Sequence, residues 1–313
     1  MASVDIAVPT YNCARWLDEF MESILAQDFT DWRIVTRDDG STDDTVARMA
    51  AWKARLGGRL EIIPNETKDN LGPVGCYNII LSSVDAPWVF LADPDDVWKP
   101  HKIRKSLLSI NGTQIDSGVT TPVLAFTDAE VINENGEFIC SSYWKWQRLR
   151  PNNVCSFSRT IMESPAISSG MIMNRALLCK ALPIEGSYSF QDWWLVLVAV
   201  AFGKVIPVYE KTFLYRRHGG NDSNVPITSS FLTIMRGLRS SRARLKKLLF
   251  DISRQSEVFL LRFRSNLDGV SIGILKDSMV LSRSGYGQRC CLILKRQLLF
   301  GSILKNIGAL LLP

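Results

Sequence analysis

The sequence lacks the patterns that mark membrane-spanning, disulfide-stapled and zinc-binding proteins. No stretch reaches the about 18 uninterrupted apolar residues of a spanning helix. The seven cysteines are odd in number and contain no C-x-x-C spacing, so they support neither a disulfide framework nor a zinc site, and we expect buried free thiols. The G-x-G-x-x-G fingerprint of dinucleotide-binding proteins, internal repeats and low-complexity tracts are absent as well.

What is present suits a globular α/β protein. The chain has 313 residues, of which 46% are hydrophobic, enough for one α/β domain of about 200 residues plus an appendage. The N-terminal residues M-A-S-V-D carry neither the basic nor the apolar segment of a signal peptide. We therefore expect synthesis to end in the cytosol.

The most informative stretch is V-F-L-A-D-P-D-D-V-W, from Val89 to Trp98, in which an apolar run ends in three carboxylates. Asp93, Asp95 and Asp96 repel one another and need a compensating cation. Oxygen ligands at this density suit Mg²⁺ or Mn²⁺, which usually bind between one or two carboxylates and the phosphates of a substrate. The alternative is a solvated acidic turn that caps a helix beginning near Pro100.

The start of the chain predicts two successive strand–turn–helix units. Asp5 to Pro9 has the pattern of a strand, and an amphipathic helix is predicted over residues 16–25. Trp32 to Thr36 is a second strand, followed by a turn at 38–43 and a helix over Thr45 to Leu56. This order is typical of a parallel sheet.

Polar residues follow both predicted strands. In an open parallel sheet, ligands bind beyond the carboxyl ends of the strands, where Thr10, Tyr11, Asp38 and Asp39 must lie. A tyrosine ring can stack on a base, and an acid can accept hydrogen bonds from a base N–H or from ribose hydroxyls. Together with the acidic motif, these residues predict a nucleotide pocket.

Seven motifs, taken together, resemble the successive signatures of inverting family 2 glycosyltransferases with a GT-A fold. They are V-P-T-Y-N, D-D-G-S-T-D, the N-x-G of Asn70 to Gly72 with Asn78, D-P-D-D-V-W, Ser169-Gly170 with Met173-Asn174-Arg175, Gln191-Asp192-Trp193-Trp194, and Tyr215 to Gly219. The order and spacing are similar to the rhamnosyltransferase-like branch that builds bacterial surface polysaccharides. The resemblance covers roughly residues 1–220 and is far more specific than any single motif.

The resemblance implies a role for each matched position. The nucleotide would be bound by Pro9, Thr10, Tyr11, Asp38, Asp39, Asn70, Gly72, Asn78 and Asp93. Mg²⁺ or Mn²⁺ would be held by Asp95, Asp93 and His218, and Asp192 matches the catalytic base. Acceptor-side or supporting roles fall to Asp96, Trp98, Gln191, Trp193, Trp194 and Arg216.

The chain departs from the branch at two positions. The branch usually has His before the catalytic Asp and Gln within the metal motif, whereas this chain has Gln191 and Pro94. Pro94 should stiffen the motif without removing a ligand. Gln191 cannot become cationic or relay protons, so tuning of Asp192 by a neighbouring imidazole is lost. Of the adjacent Trp193 and Trp194, one is expected in the core and the other could line an acceptor groove.

Charge is unevenly distributed along the chain. From Val225 to Pro313 there are 15 Lys and Arg against 4 Asp and Glu, giving +11, so residues 1–224 carry 6 − 11 = −5. Leucines alternate with basic residues over 238–250, the pattern of a basic amphipathic helix, and residues 292–312 mix apolar clusters with lysine and arginine. This composition predicts adsorption to an anionic membrane surface. Nucleic acid is the rival partner, but no nucleic-acid-binding motif accompanies the basic helix.

We therefore predict a GT-A catalytic domain over residues 1–224, with a mostly parallel mixed sheet, and a basic helical tail over 225–313. The predicted activity is inverting transfer of a sugar, rhamnose from a dTDP donor in the first instance, to a lipid-linked glycan on the inner face of the bacterial cell membrane. The alternatives are a UDP-hexose donor, because thymine and uracil offer nearly the same groups to Tyr11 and Asp38, and a nucleotide-sugar-binding scaffold without turnover, which Gln191 makes conceivable.

Overall fold

The computed structural model describes residues 2–185, 191–219, 231–301, 306, 307 and 309, with the side chains of 111–117 and 231–243 left out. The strands are β1 (Val4–Thr10), β2 (Trp32–Asp38), β3 (Leu60–Ile63), β4 (Trp88–Leu91), β5 (Val97–Trp98), β6 (Val123–Asn133), β7 (Phe138–Cys140), β8 (Met171–Asn174) and β9 (Lys204–Arg217). The helices are α1 (Ala14–Leu25), α2 (Thr45–Leu56), α3 (Gly72–Ser83), α4 (Lys102–Ser117), α5 (Tyr143–Gln147), α6 (Phe157–Met162), α7 (Arg175–Ala181), α8 (Gln191–Phe202), α9 (Phe231–Phe263), α10 (Gly269–Met279) and α11 (Tyr286–Arg296).

The chain divides into two compact units. The first consists of Met1–Gln147, Ala166–Glu185 and Phe190–Arg217, and the second of Arg148–Pro165, Gly186–Ser189 and His218–Pro313. The first unit thus ends a few residues before the predicted boundary at 224, which lies outside the described residues. Arg148–Pro165 was predicted to belong to the catalytic domain, but its contacts group it with the C-terminal helices.

The first unit is built on one mixed sheet with the strand order β3-β2-β1-β4-β8-β6-β9-β5, and β7 pairs with β6. β1, β2, β3 and β4 run parallel, whereas β8 is antiparallel to both β4 and β6. The chain moves outward from β1 to β3 and then returns to place β4 on the other side of β1. Ligands bind at such a reversal of strand order, outside the carboxyl ends of the strands.

The predicted N-terminal elements are confirmed. Residues 16–25 lie in α1, which buries Leu17, Phe20 and Ile24 against the sheet, and α2 spans the predicted Thr45 to Leu56. β1 is buried on both faces, as expected for a central parallel strand. The helix predicted after the acidic motif begins at Lys102.

The second unit is mainly helical, and the predicted tail helix is α9. Its side chains at 238–243 are outside the described residues, but Leu249, Ile252, Phe259 and Phe263 are buried. Phe157 of α6 packs on Phe259 with ring centroids 5.8 Å apart. This contact explains why the segment around α6 belongs to the C-terminal unit rather than to the sheet.

The structure bears on two expectations, that the cysteines are buried free thiols and that no helix spans a membrane. All seven cysteines are unpaired, but Cys155, Cys179 and Cys291 are exposed, so the expectation of burial was wrong for these three. In the described part of the chain, no helix combines the length and the apolar character needed to cross a bilayer.

Candidate active site

The loop after β4 presents the acidic motif at the carboxyl end of the sheet. The Asp93 backbone N–H donates to Ser169 Oγ at 3.0 Å, and the Ser169 hydroxyl lies 3.3 Å from Asp93 Oδ2. On the other side, the Tyr77 hydroxyl lies 3.2 Å from Asp93 Oδ1 and 3.1 Å from the Ala92 carbonyl. Asp93 is therefore fixed from two directions.

Arg216 of β9 holds the second half of the same loop. Its backbone N–H donates to Asp96 Oδ1 at 2.9 Å, and its Nε donates to the Asp95 carbonyl at 2.8 Å. The side chain is only 2% exposed and ends in an ion pair with Glu19 at 2.6 Å. The guanidinium thus supports the loop and points its Nη2 at Glu19, which gives the predicted supporting residue a definite contact.

Asp192 lies in the first turn of α8. Its Oδ1 accepts the Trp193 N–H at 2.7 Å. Burial raises the pKa of Asp192 to about 7, and the backbone hydrogen bonds only partly offset that effect. A carboxylate with a pKa near neutrality is suited to accept a proton during catalysis.

Four carboxyl groups, those of Asp93, Asp95, Asp96 and Asp192, share an excess of negative charge at this edge of the sheet. Burial, Asp95 and Asp192 together raise the pKa of Asp93 to about 7. Burial, Asp95 and Asp93 hold the pKa of Asp96 well above its usual range. Among the described residues, Asp96 Oδ2 has no hydrogen-bond partner although it is buried. Such a cluster is stabilised by a cation.

The donor chemistry fits a hard divalent ion, although the cluster is not a complete metal cage. Within the described ranges, no three His, Cys, Asp or Glu side chains are arranged to hold a metal on their own. Mg²⁺ commonly uses only one or two carboxylates and takes further oxygens from substrate phosphates, which matches Asp93 and Asp95. His218 begins the second unit, and its role as a metal ligand stays a prediction.

The turn after β2 forms the neighbouring wall of the crevice. Asp38 Oδ2 accepts the N–H groups of Gly40 and Ser41, while Oδ1 accepts the Ser41 hydroxyl at 2.5 Å and the Thr10 hydroxyl at 3.2 Å. Gly40 has φ +83°, and a Cβ there would lie 2.7 Å from the Lys68 carbonyl. Asp38 and Thr10 therefore fix the conformation of this turn. Tyr11, which follows Thr10, is 53% exposed.

Asp39 has a structural task that differs from its predicted nucleotide contact. It is 3% exposed and pairs with the buried Arg37 at 2.6 Å. Its two carboxylate oxygens also accept the N–H groups of Leu71 and Gly72 at 3.0 and 2.8 Å. Through these contacts Asp39 anchors the start of α3, and its nucleotide contact stays a prediction.

The N-x-G motif is likewise mainly architectural. Asn70 Oδ1 accepts the Gly72 N–H at 3.1 Å, and Gly72 adopts φ +70°, a conformation that favours glycine. Asn78 was predicted to bind nucleotide, but its amide makes two hydrogen bonds to the backbone of Ile184, at 2.9 and 2.7 Å. This pair ties α3 to the segment that precedes α8, and the nucleotide-binding role of Asn78 stays a prediction.

The paired tryptophans and Gln191 also have distinct environments. Trp194 is fully buried and donates its indole N–H to the Ala181 carbonyl at 3.0 Å. Trp193 is buried as well, at 8% exposed, so the expectation that only one of the pair lies in the core was wrong. Gln191 is buried and donates Nε2 to Ser168 Oγ at 2.8 Å, while its Oε1 has no partner in the described chain. At this position the chain thus uses an amide donor where the branch has His.

Trp98 is a core residue. Beside it lies the buried amine of Lys102, which the sequence analysis did not predict. The Trp98 ring packs on Phe20 and Phe90. Lys102 Nζ lies 4.8 Å from the Trp98 ring centroid and donates to Thr212 Oγ1 at 3.2 Å. Lys102 is fully buried, and this burial lowers its pKa to about 7 despite the field of Asp96.

Tyr77, Ser168 and Ser169 are further site residues for which no role was predicted. Ser169 belongs to one of the motifs that carried the resemblance, so its position in the sequence was a usable signal. Tyr77 directly precedes Asn78, but nothing in its sequence context indicates that its hydroxyl reaches a loop 16 residues later.

Comparisons with known proteins agree with this geometry. The profile described as "Glycosyl transferase family 2" matches residues 5–178. The chain is 26% identical over 227 residues to an uncharacterized glycosyltransferase of Nostoc sp., covering 70% of this chain and 66% of that protein. It is 23% identical over 152 residues to the Escherichia coli UDP-Glc:alpha-D-GlcNAc-diphosphoundecaprenol beta-1,3-glucosyltransferase WfgD, covering 48% of this chain and 55% of that protein. The chain thus spans less than two thirds of either relative.

A solved structure shows the same fold. The crystal structure of S. aureus TarS 1-349 in complex with UDP-GlcNAc superposes with a TM-score of 0.56 at 17% identity, covering 98% of this chain and 89% of that one. The mixed sheet flanked by helices is therefore a GT-A fold, as predicted from the sequence.

Proposed function

The chain belongs to glycosyl transferase family 2, and from this premise we propose that it transfers a sugar from a nucleoside-diphosphate donor to a glycan hydroxyl with inversion at the anomeric carbon. The observation that carries the proposal is the juxtaposition of Asp93 and Asp192. Asp93 follows β4 at the reversal of strand order and is bound by Ser169, while the adjacent Ser168 binds Gln191, the residue before Asp192 at the start of α8. The charge of Asp192 also acts on the pKa of Asp93.

The proposed reaction is a single displacement. The Asp192 carboxylate accepts the proton of the acceptor hydroxyl while that oxygen forms a bond to the anomeric carbon. The bond between the anomeric carbon and the diphosphate oxygen breaks on the opposite face, and the diphosphate leaves with the electron pair. Tyr11 is exposed enough to stack on the base, and the turn held by Asp38 and Thr10 supports the nucleoside.

Asp93 and Asp95 are the residues that would hold Mg²⁺ or Mn²⁺. A bound divalent cation offsets the charge that develops on the departing diphosphate. The unpaired oxygen of Asp96 and the raised pKa of Asp93 support this assignment, because both indicate a site short of positive charge.

Two nucleotide sugars are candidate donor substrates. Rhamnose from a dTDP donor follows from the similarity of the motifs to the rhamnosyltransferase-like branch. A UDP-hexose is favoured by the relatives, since WfgD is named for UDP-Glc and TarS was solved with UDP-GlcNAc. The two nucleotides differ at the base methyl and the ribose 2′-hydroxyl, so the choice is measurable with nucleotides alone.

For the acceptor, we propose a lipid-linked glycan intermediate reached by a peripheral enzyme on the inner face of the bacterial membrane. The name of WfgD includes a diphosphoundecaprenol acceptor, and the +11 charge after residue 224 suits an anionic surface.

Hydrolysis of a panel of UDP and dTDP sugars, each with Mg²⁺, Mn²⁺ or chelator, tests the proposal. We expect slow, metal-dependent release of one nucleotide. Asp95→Ala should abolish metal-dependent nucleotide binding in calorimetry, and Asp44→Asn, an exposed carboxylate outside the site, is the control. If nucleotide binds but no sugar is released or transferred from any donor, the chain is a nucleotide-sugar-binding scaffold instead.

A further inference from the structure

Two adjacent serines contact Asp93 and the residue that precedes Asp192. Ser168 and Ser169 form a short 3-10 turn with Gly170, directly before β8. Ser169 accepts the Asp93 N–H at 3.0 Å and places its hydroxyl 3.3 Å from Asp93 Oδ2. Ser168 Oγ accepts Gln191 Nε2 at 2.8 Å, and Gln191 directly precedes Asp192 in α8. One turn thus holds the carboxylate assigned to the donor side and the residue beside the carboxylate assigned to the acceptor side.

Tyr77 supports Asp93 from the other side. The Tyr77 hydroxyl lies 3.2 Å from Asp93 Oδ1 and 3.1 Å from the Ala92 carbonyl. Ser168 lies close enough to act on the pKa of the Tyr77 phenol. Tyr77 and the two serines thus form one series of polar side chains beside Asp93.

The series is buried and rests on a rigid support. Ser168 is 4% exposed, and Ser169 and Tyr77 are not exposed at all. A Cβ on Gly170 would lie 3.0 Å from the Thr127 carbonyl of β6, so the turn sits tightly against the sheet. Buried hydrogen-bond networks of this kind, when satisfied, fix one geometry.

We propose that Tyr77, Ser168 and Ser169, which we call the serine bridge, are positioning residues that set the separation between Asp93 and Asp192. The proposal rests on the proposed glycosyl transfer. A displacement requires the attacking oxygen about 3–3.5 Å from the anomeric carbon, and an error of about 1 Å costs on the order of 10²-fold in rate. Because the donor is held on the Asp93 side and the acceptor proton goes to Asp192, a rigid link between the two sets that distance.

A double-mutant cycle between Tyr77→Phe and Ser168→Ala tests the bridge. Each single change should lower kcat for sugar transfer by about 10- to 100-fold, the effect of one hydrogen bond near charged groups. The double variant should lose little more than the worse single variant, since both changes act on the same separation between Asp93 and Asp192. The matched control is Tyr143→Phe, which removes the hydroxyl of another buried tyrosine of the first unit. Its effect on kcat should multiply with the effect of Ser168→Ala.

Nucleotide binding gives a second readout. In calorimetry with Mn²⁺ and either UDP or dTDP, Tyr77→Phe and Ser169→Ala should weaken binding by about 5- to 10-fold because they loosen Asp93. Ser168→Ala should leave this affinity unchanged and affect kcat alone. A protein in which these residues only stabilise the fold would not show that division between affinity and turnover.

The outcomes separate the bridge from the function it serves. Additive losses in the Tyr77 and Ser168 cycle, or a Tyr77→Phe variant that behaves like Tyr143→Phe, would overturn the bridge in an enzyme that still binds nucleotide. If the wild-type protein binds neither nucleotide with Mn²⁺, the proposed function fails and the positioning role fails with it.

Discussion

At the scale of single residues, the carboxylates of the site differ in how far the protein satisfies them. Asp39 accepts hydrogen bonds from Arg37 and from two backbone N–H groups. Asp96 keeps one buried oxygen without a partner in the described residues, and Asp192 keeps a pKa near neutrality. An unsatisfied or strongly perturbed acid in a crevice indicates chemistry more than an acid with all its hydrogen bonds made.

Asp192→Asn should retain nucleotide binding and lose transfer by about 10²–10⁴-fold, the usual contribution of a positioned proton acceptor. Because the base must be ionised and its pKa is about 7, kcat/KM of the wild-type enzyme should fall about tenfold per pH unit below pH 7. Initial rates between pH 5 and 9 measure this limb, which should be missing in the residual activity of the variant. Full transfer in Asp192→Asn would move the role of base elsewhere.

Lys102 allows a test of stability against pH. Its pKa in the folded protein is lowered to about 7, against 10.5 in the unfolded chain, so between these values the unfolded chain binds more protons. The free energy of unfolding contributed by this group therefore rises as pH rises from 7 to 9. Denaturation of wild type and Lys102→Met should show a difference that grows with pH by up to about 1.4 kcal/mol per unit.

Lys105→Met is the control for that experiment, because Lys105 is partly exposed and pairs with Glu210 at the surface. The difference in unfolding free energy between Lys105→Met and wild type should stay constant from pH 7 to 9. If the difference for Lys102→Met is also constant, the Lys102 amine is charged in the folded protein over this pH range.

The residues that follow strands were predictable, whereas their partners were not. Thr10, Asp38 and Asp93 had to meet at one edge because they end or follow parallel strands. The hydrogen bonds of Asp39 and Lys102 are made with residues that are distant in sequence, such as Leu71 and Thr212. Local patterns carry no information about such contacts, so the identities of ligand-facing and structural acids emerged only from the fold.

At the scale of elements, β9 is the support of the acidic motif. β5, which follows Asp95 and Asp96, pairs with the end of β9, and Arg216 reaches from the same strand to the Asp95 carbonyl. The predicted units explain β1 and β2, and the apolar run before Asp93 explains β4, but the pairing of β5 with β9 joins residues more than 100 positions apart. It was not predicted because a two-residue strand has no periodicity of its own.

Arg216→Met should destabilise the fold by about 3 kcal/mol, because it removes the buried guanidinium that donates to the backbone carbonyls of Asp95, Asn133 and Glu134. Urea denaturation measures the loss. Arg48→Met, which removes an exposed pair with Asp18, is expected to cost less than about 1 kcal/mol. Equal losses in the two variants would contradict the assignment of Arg216 as the support of the loop.

At the scale of the whole molecule, positive charge is concentrated in the C-terminal part of the sequence. The C-terminal 89 residues carry +11 while the rest of the chain carries −5. In the second unit, Leu261 and Leu294 are 78% and 74% exposed, and basic side chains such as Arg264 and Lys295 are exposed in the same helical region. Exposed apolar and basic side chains together are the composition of surfaces that adsorb to anionic lipid.

The contacts of α6 also change how this property can be tested. A chain cut near residue 224 would remove α9, on which Phe157 packs, and would expose an apolar surface of its own. Binding of such a truncated protein to vesicles would then report damage rather than the role of the tail. Charge substitutions in the full chain avoid this difficulty.

The full-length protein should sediment with phosphatidylglycerol vesicles and dissociate in part as salt is raised, since surface attraction is screened over about 8 Å at 0.15 M. Replacing three exposed lysines of the second unit, Lys246, Lys276 and Lys295, with Gln should weaken binding by about 100-fold, at about 1 kcal/mol per charge. The same change at three exposed lysines of the first unit, Lys145, Lys204 and Lys211, keeps the net charge equal and should leave binding nearly intact. If both triple variants lose affinity equally, net charge rather than a membrane-facing second unit drives the attraction; if neither does, the basic residues serve partners other than lipid.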